Sequence, residues 1–333
     1  MYELLGICLV LTALLAVNTL ASLLLTALWR LGERRFKDLS AHSRAEILFG
    51  MRVSPPALAV ISVGLLLIPA YVAYEPHVTA EIVSTKLAML SLLSAGGLVL
   101  ALLRAYRSWS ATRSLLRGWL RDAERIDLGG LPIPAFRLEH SFPIIAVVGT
   151  VRPRLFIAAK VLHALSKEEL AAAIAHERGH LLAQDNLKRS VLRACRDILM
   201  LAPVGKSLDR AWAQAAEAAA DEHAARENSD RALNLASALV KIAKMIPVRE
   251  RAEMPLAAYL IGAEETEGVK TRVRRLLDIA SHGIDKRDNQ SFIQMAHFIS
   301  VTSFAVFAVA AASNPRVLIS VHEMIERTVR LLC

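Results

Sequence analysis

The sequence predicts a mostly α membrane protein, with four transmembrane helices and a cytoplasmic α+β domain that joins a small sheet to a helix bundle. Three observations carry this expectation. Hydrophobic residues make up 54% of the 333, the mean hydropathy is +0.40, and the excess is gathered in four stretches without Lys, Arg, Asp or Glu. Basic residues cluster after the first and third of these stretches. Between the third and the fourth, strand-like patterning gives way to helical patterning around His176-Glu177-Arg178-Gly179-His180.

The charge-free stretches run from Leu4 to Trp29, Pro55 to Tyr74, Leu87 to Leu103 and Ser291 to Ala312, each about the length a helix needs to cross a hydrocarbon core. The third extends back to about Ile82, so the spans are expected at about 4–29, 55–74, 82–103 and 291–312. The first has no basic region ahead of it and is too long for a cleaved signal peptide. Arg30, Arg34, Arg35, Lys37, Arg44 and Arg52 follow the first span, and Arg104, Arg107, Arg113, Arg117, Arg121 and Arg125 follow the third. The positive-inside rule puts both segments in the cytoplasm. The N-terminus and the Tyr74–Lys86 connection are then external, 104–290 is a cytoplasmic domain, and 313–333 is a short extracytoplasmic tail of a multi-pass plasma (inner) membrane protein. This topology accounts for most of the net charge of +9, so no nucleic-acid partner is expected, and the lipid bilayer is the first partner. Cys8, Cys195 and Cys333 are scattered and suggest neither a disulfide framework nor a thiolate metal site.

In the cytoplasmic region, Phe136–Ser141, Ile144–Val148 and Leu155–Ile157 are short apolar runs separated by Pro143 and by the turn-like Gly149-Thr150-Val151-Arg152-Pro153. They predict a sheet of two or three strands, which either binds an extended peptide at its edge or only supports the next helix. That helix starts at the capping box Ser166-Lys167-Glu168-Glu169 and continues through Leu182. Two His four residues apart leave successive turns on one face, and the Glu beside the first reaches a water on the same metal; this is the pattern of a metal-dependent hydrolase. Further helices are expected over Asn186–Leu201, ending before Pro203, and over Ser207–Arg226, Asp230–Ile246 and Val269–Ile279. Glu217-Ala218-Ala219-Ala220-Asp221 sets two carboxylates on one helix face, Glu217 for the metal and Asp221 to hold a ligating His in its tautomer from behind. His223 is the rival ligand, and a solvated acidic face with Glu222 and Arg226 is the plainer alternative.

Arg152-Pro153-Arg154-Leu155-Phe156-Ile157, Leu165-Ser166-Lys167-Glu168-Glu169-Leu170, the His176–His180 motif followed by Asp185-Asn186, and Glu217-Ala218-Ala219-Ala220-Asp221 together resemble the gluzincin-type membrane peptidases. Within that group the chain is similar to the BlaR/MecR family, whose members place a cytoplasmic zinc peptidase domain between a third and a fourth span. HtpX-type and CAAX-prenyl peptidases share the metal motif with other span arrangements. The resemblance implies that His176, His180 and Glu217 bind one Zn2+, that Glu177 is the general base, and that Asp221 and Asp185 support the ligands. Arg272 matches a basic position of the family, although by its own pattern it reads as an exposed helical Arg. About twenty residues follow Ala312, where the β-lactam sensors carry a penicillin-binding domain, so no such sensor domain is expected. The functional expectation is a zinc endopeptidase acting on a cytoplasmic protein substrate, a transcriptional repressor for example, or on itself, in signal transduction. Its signal would come from a partner, a lipid or the spans, and a homo-oligomer or a sensor partner is the assembly to expect. The competing readings are a quality-control protease of membrane proteins and a non-catalytic zinc-binding transducer.

Overall fold

The computed structural model describes residues 2–36, 39–76, 83–128, 131–197, 205–226, 229–246, 266–284 and 290–332. Helix dominates, and one small mixed sheet interrupts it. The first three long helical stretches are α1 (Tyr2–Phe36), a second made of α2 (Ala41–Ser62), a π-helical turn (Val63–Leu67) and α3 (Ile68–Tyr74), and α4 (Thr85–Asp122). All three are long and apolar enough to cross a membrane. The π turn has a local cause in Pro69, which has no N–H for the carbonyl four residues back and crowds it, so the preceding turn widens. Ser40 and Ser84 cap α2 and α4, each hydroxyl accepting a backbone N–H at 3.2 Å.

The helices outrun the expected spans at one end. The basic segments expected as loops are largely helical, because α1 continues to Phe36, α2 begins at Ala41, and α4 runs on to Asp122. The expected helix end at Leu201, the stop at Pro203 and the start of the third span at Ile82 lie outside the described residues.

Four strands follow α4, where two or three were expected: β1 (Glu124–Ile126), β2 (Ala135–Leu138), β3 (Ile145–Val148) and β4 (Arg154–Ala158), in the order β1-β2-β4-β3. The β2–β4 pair is parallel and the outer pairs are antiparallel, which leaves β3 at one edge. Phe156, fully buried, pairs with Phe136 on one side and Ala146 on the other. Its ring lies 5.1 Å from that of Trp119 and 5.5 Å from that of Phe136, so an aromatic cluster joins the sheet to the end of α4.

A short helix α5 (Ala159–Ala164) leads to α6 (Lys167–Leu182), which begins with the full capping box of Ser166 and Glu169. Then come α7 (Asp185–Asp197), α8 (Lys206–Ala225), α9 (Ser229–Met245) and α10 (Thr266–His282). The buried face of α6 is built from Ala172, Ala173, His176, Glu177 and Gly179. Where α6 meets α8 the backbones come close, and a Cβ on Gly179 would stand 3.1 Å from Ala220 Cα and 3.2 Å from His223 Cβ.

A second apolar cluster of Trp29, Leu48, Leu192, Leu208 and Trp212, with small Ala between them, fastens α7 and α8 to the ends of α1 and α2. Arg52 of α2 is buried there, and its Nε donates to Asp209 of α8 at 3.0 Å. At the chain's end, α11 (Gln290–Ala312) is followed by α12 (Pro315–Leu332), and the helices Thr302–Ala312 and Pro315–Leu331 meet at 87°. Counted as one span, that bent pair brings the candidate spans among the described residues to four. The segment expected only as a tail is therefore an amphipathic helix, and its Ile325 and Val329 pack with Leu5, Leu9, Tyr71 and Leu87.

Candidate metal centre

His176 and His180 leave the same face of α6 one turn apart, and their Nε2 atoms stand 3.1 Å from each other. Glu217, on α8, completes the group: Oε2 lies 3.6 Å from His176 Nε2 and Oε1 lies 3.6 Å from His180 Nε2. One donor atom from each of the three falls within 4.8 Å of the others. The small side chains of α6 and α8 make this possible, because Gly179 against Ala220 lets Glu217 reach across a narrow gap.

Each imidazole is held from behind by a carboxylate. His176 Nδ1 is 3.0 Å from Asp221 Oδ1, and His180 Nδ1 is 2.6 Å from Asp185 Oδ2. With the Nδ1 protons committed to carboxylates, the Nε2 lone pairs are the ones that face the common point. Asp221 lies one turn beyond Glu217, so the two acidic residues of α8 serve the same His from opposite sides of its ring. Asp185 reaches His180 because α6 ends in a tight turn, with Gln184 in the left-handed region at φ 55°. There the Ala183 N–H donates to Gly179 O and the Gln184 N–H to Leu181 O.

Glu177 is buried against the sheet edge. Its Oε2 accepts from the Val147 N–H at 3.0 Å, while Asn186 Nδ2 donates to Val147 O at 2.9 Å and to Gly149 O at 3.3 Å. Burial raises the carboxyl of Glu177 above the usual range, against the pull of His180 and His176. Glu217 moves the other way. Burial would raise it, but His180 and Arg272 hold it well below the ordinary carboxylate value. Burial would likewise raise Asp221, and Arg272 with His176 outweighs that.

Sequence reasoning brought five residues to this place: His176, Glu177, His180, Glu217 and Asp221, with Asp185 as a supporting sixth. The rival His223 is not in the three-residue group. Glu222 is not on a solvated face, since it is buried, accepts from the Ala41 N–H at 3.3 Å and pairs with Arg275. Arg272 corrects an expectation. Instead of lying exposed, its guanidinium grips Asp221 with two hydrogen bonds, Nη2 to Oδ1 at 2.6 Å and Nε to Oδ2 at 3.0 Å, and Nη1 stands 3.1 Å from Glu217 Oε2. The signal was present, because Arg272 falls on the stripe of α10 that carries the buried Leu276 and Ile279. Arg189, which donates to Glu217 Oε1 at 3.0 Å, gave no sequence sign of its part, and Asn186 entered only with the family resemblance.

Two imidazole nitrogens and one carboxylate suit a first-row divalent ion and leave a fourth position open. The buried Glu217 Oε2 makes no hydrogen bond, although Arg272 Nη1 is near, which fits a carboxylate shaped to take a cation. Two of the cavities among the described residues lie elsewhere. One of about 330 Å³ is lined by Arg104, Trp109, Gly149, Asn186 and Arg193, beside the β3–β4 turn. The larger, about 840 Å³, lies along β1, β2 and Arg154 and includes none of the grouped residues.

The metal-free state of His180 leads to a pH prediction. Burial would lower its pKa, but Glu217 and Asp185 push it up to about 10, against an ordinary value near 6.5. Its contribution to the stability of the metal-free chain is therefore full below about 6.5 and disappears as pH rises through about 10. At pH 7.5 a metal must displace that proton. Zinc titrated into metal-free protein in buffers of different ionisation enthalpy should release about one proton per site, and a heat independent of buffer would contradict it.

Residues 132–276 match the family described as BlaR1 peptidase M56. That stretch runs from just before β2 through Leu276, leaving β1 outside it, and contains the His176–His180–Glu217 group with Glu177, Asp185, Asp221 and Arg272. No curated protein matches the chain. The region 132–276 is therefore similar to the BlaR1 peptidase M56 family, a family of metallopeptidases.

Proposed function

We propose that the chain is a zinc-dependent endopeptidase of the plasma (inner) membrane that cleaves a cytoplasmic protein, a transcriptional repressor for example, or itself, in signal transduction. The observation that carries this reading is Glu177, a buried carboxylate between two grouped His and bonded to the sheet edge. A metal kept for structure alone has no use for it.

In this reading His176, His180 and Glu217 hold the zinc, while Asp221 and Asp185 keep the two rings turned toward it. Zinc bound there supplies a Lewis acid that lowers the pKa of a water towards roughly 7 and draws charge from the peptide carbonyl. Glu177 takes the proton of the attacking water and returns it to the leaving amine, with its Oε2 steadied by the Val147 N–H. Val147 belongs to the edge strand β3, so an extended substrate pairing along that edge would pass Glu177 and would replace Glu177 and Asn186 as the partners of the Val147 backbone. The cavity beside Gly149 and Trp109 would then take a side chain. The basic residues of the α1–α2 and α4 segments support a cytoplasmic peptidase region with both termini outside. The Arg52–Asp209 pair and the Trp29–Trp212 cluster support a signalling role, since they tie the helix that carries Glu217 to the ends of two spans.

Two experiments test the reading. Glu177→Gln should keep its zinc by metal analysis and lose cleavage by about 10²–10⁴-fold, whereas His176→Ala loses both. A proteome comparison of cells expressing the native or the Glu177→Gln chain reads the cleavage, and a fragment pattern identical in the two would refute the assigned base. For the topology, an impermeant thiol reagent on intact cells should label Glu323→Cys and spare Glu168→Cys, both made in a Cys333→Ser background. The reverse pattern would invert the orientation.

A further inference from the structure

We infer that Glu75, His322 and Glu326 form a second metal site, separate from the peptidase centre, for a first-row divalent cation that clamps α12 onto the end of α3. Glu75 is the residue at which α3 stops, and its side chain is 3% exposed. His322 and Glu326 lie one turn apart on α12, on the row beside the buried Ile325 and Val329. Ligand atoms of the three residues all lie within 4.8 Å of one another. His322 Nδ1 is buried, makes no hydrogen bond, and stands 3.9 Å from Glu75 Oε2.

Two carboxylates meet beside one imidazole at the C-terminal end of a helix, where the backbone dipole adds negative potential that favours a cation. Arg330 reaches Glu326 at 3.5 Å, and its side chain is 77% exposed. A divalent ion would neutralise both carboxylates and occupy the idle imidazole nitrogen. One imidazole with two carboxylates favours zinc, manganese, iron or cobalt over calcium or magnesium, whose sites are built from oxygen alone. Glu326 and His322 keep some exposure, so their side chains have room to close on an ion.

The position gives the site a consequence. Glu75 and Arg52 lie on the same helical stretch, about 35 Å apart at 1.5 Å per residue, and Arg52 binds the helix that bears Glu217. A cation that fixes α12 to α3 therefore acts on the far end of the element that holds the peptidase region.

The test counts metal on the full-length chain in detergent, purified through a tag free of histidine, stripped with chelator and titrated with Co2+. The native chain should bind two equivalents. Glu326→Gln and His322→Ala should each bind one, and His180→Ala should also bind one, so the retained equivalent in each variant reports an intact second location. Two equivalents in both Glu326→Gln and His322→Ala would overturn the site, as would a native chain binding a single equivalent that His180→Ala removes.

Discussion

Where α6 crosses α8 even a Cβ would be cramped, and the candidate metal centre depends on that close approach. Gly179 faces Ala220, so the two helix backbones come near enough for Glu217 to meet His176 and His180, while Asp221 slides behind the first ring. Any residue with a Cβ at 179 would push against the backbone of α8, and a larger one would move Glu217 away from the two imidazoles. The run of Ala around Glu217 serves the same end, since it lets acidic side chains stand in a helix that is otherwise packed tightly.

The same contact gathers charge that a folded protein ordinarily keeps in water. Glu177, Asp185 and Asp221 are buried and Glu217 is largely so, and the compensating groups are Arg272, Arg189 and the imidazoles. Taking such groups out of water costs several kcal/mol each before pairing recovers it, so apolar residues of similar size would hold the helices together at least as well. The arrangement makes sense as a place prepared for a cation. Arg272 anchors it by fixing Asp221 with two hydrogen bonds while standing beside Glu217, so α10 is bound into the centre as well as into the core. On its other side α8 is bound to α2 by Arg52, and Glu222 ties it to Ala41 and Arg275. The centre and the long apolar helices thus share one element.

Much of this was legible in the residues. The His176–His180 spacing and the Ser166–Glu169 capping box fixed the motif helix, and the i, i+4 pair Glu217–Asp221 pointed to the facing helix, because these are local patterns with local physical causes. Arg272 was misread because an Arg in a polar-looking helix is usually solvated, and only the packing of Leu276 and Ile279 turns it inward. β1 was missed because Glu124-Arg125-Ile126 has no apolar alternation and is a strand only through pairing with Arg137, Phe136 and Ala135. The segment after Ala312 looked like a tail because its apolar residues are spaced for one helix face and not for a span, and that face acquires meaning only against Leu5, Tyr71 and Leu87. Val147 was placed only in a strand and Asn186 only in the family resemblance, since their roles come from long-range hydrogen bonds that no local pattern announces.

The central claim is that one metal sits between α6 and α8, and anomalous diffraction at the zinc edge from zinc-loaded crystals of the full chain tests it most directly. The account predicts a peak about 2.0–2.2 Å from His176 Nε2, His180 Nε2 and a Glu217 carboxylate oxygen, with Asp185 and Asp221 still behind the rings. A zinc-loaded crystal with no peak there, or a peak that leaves Glu217 paired only to Arg272 and Arg189, would contradict it.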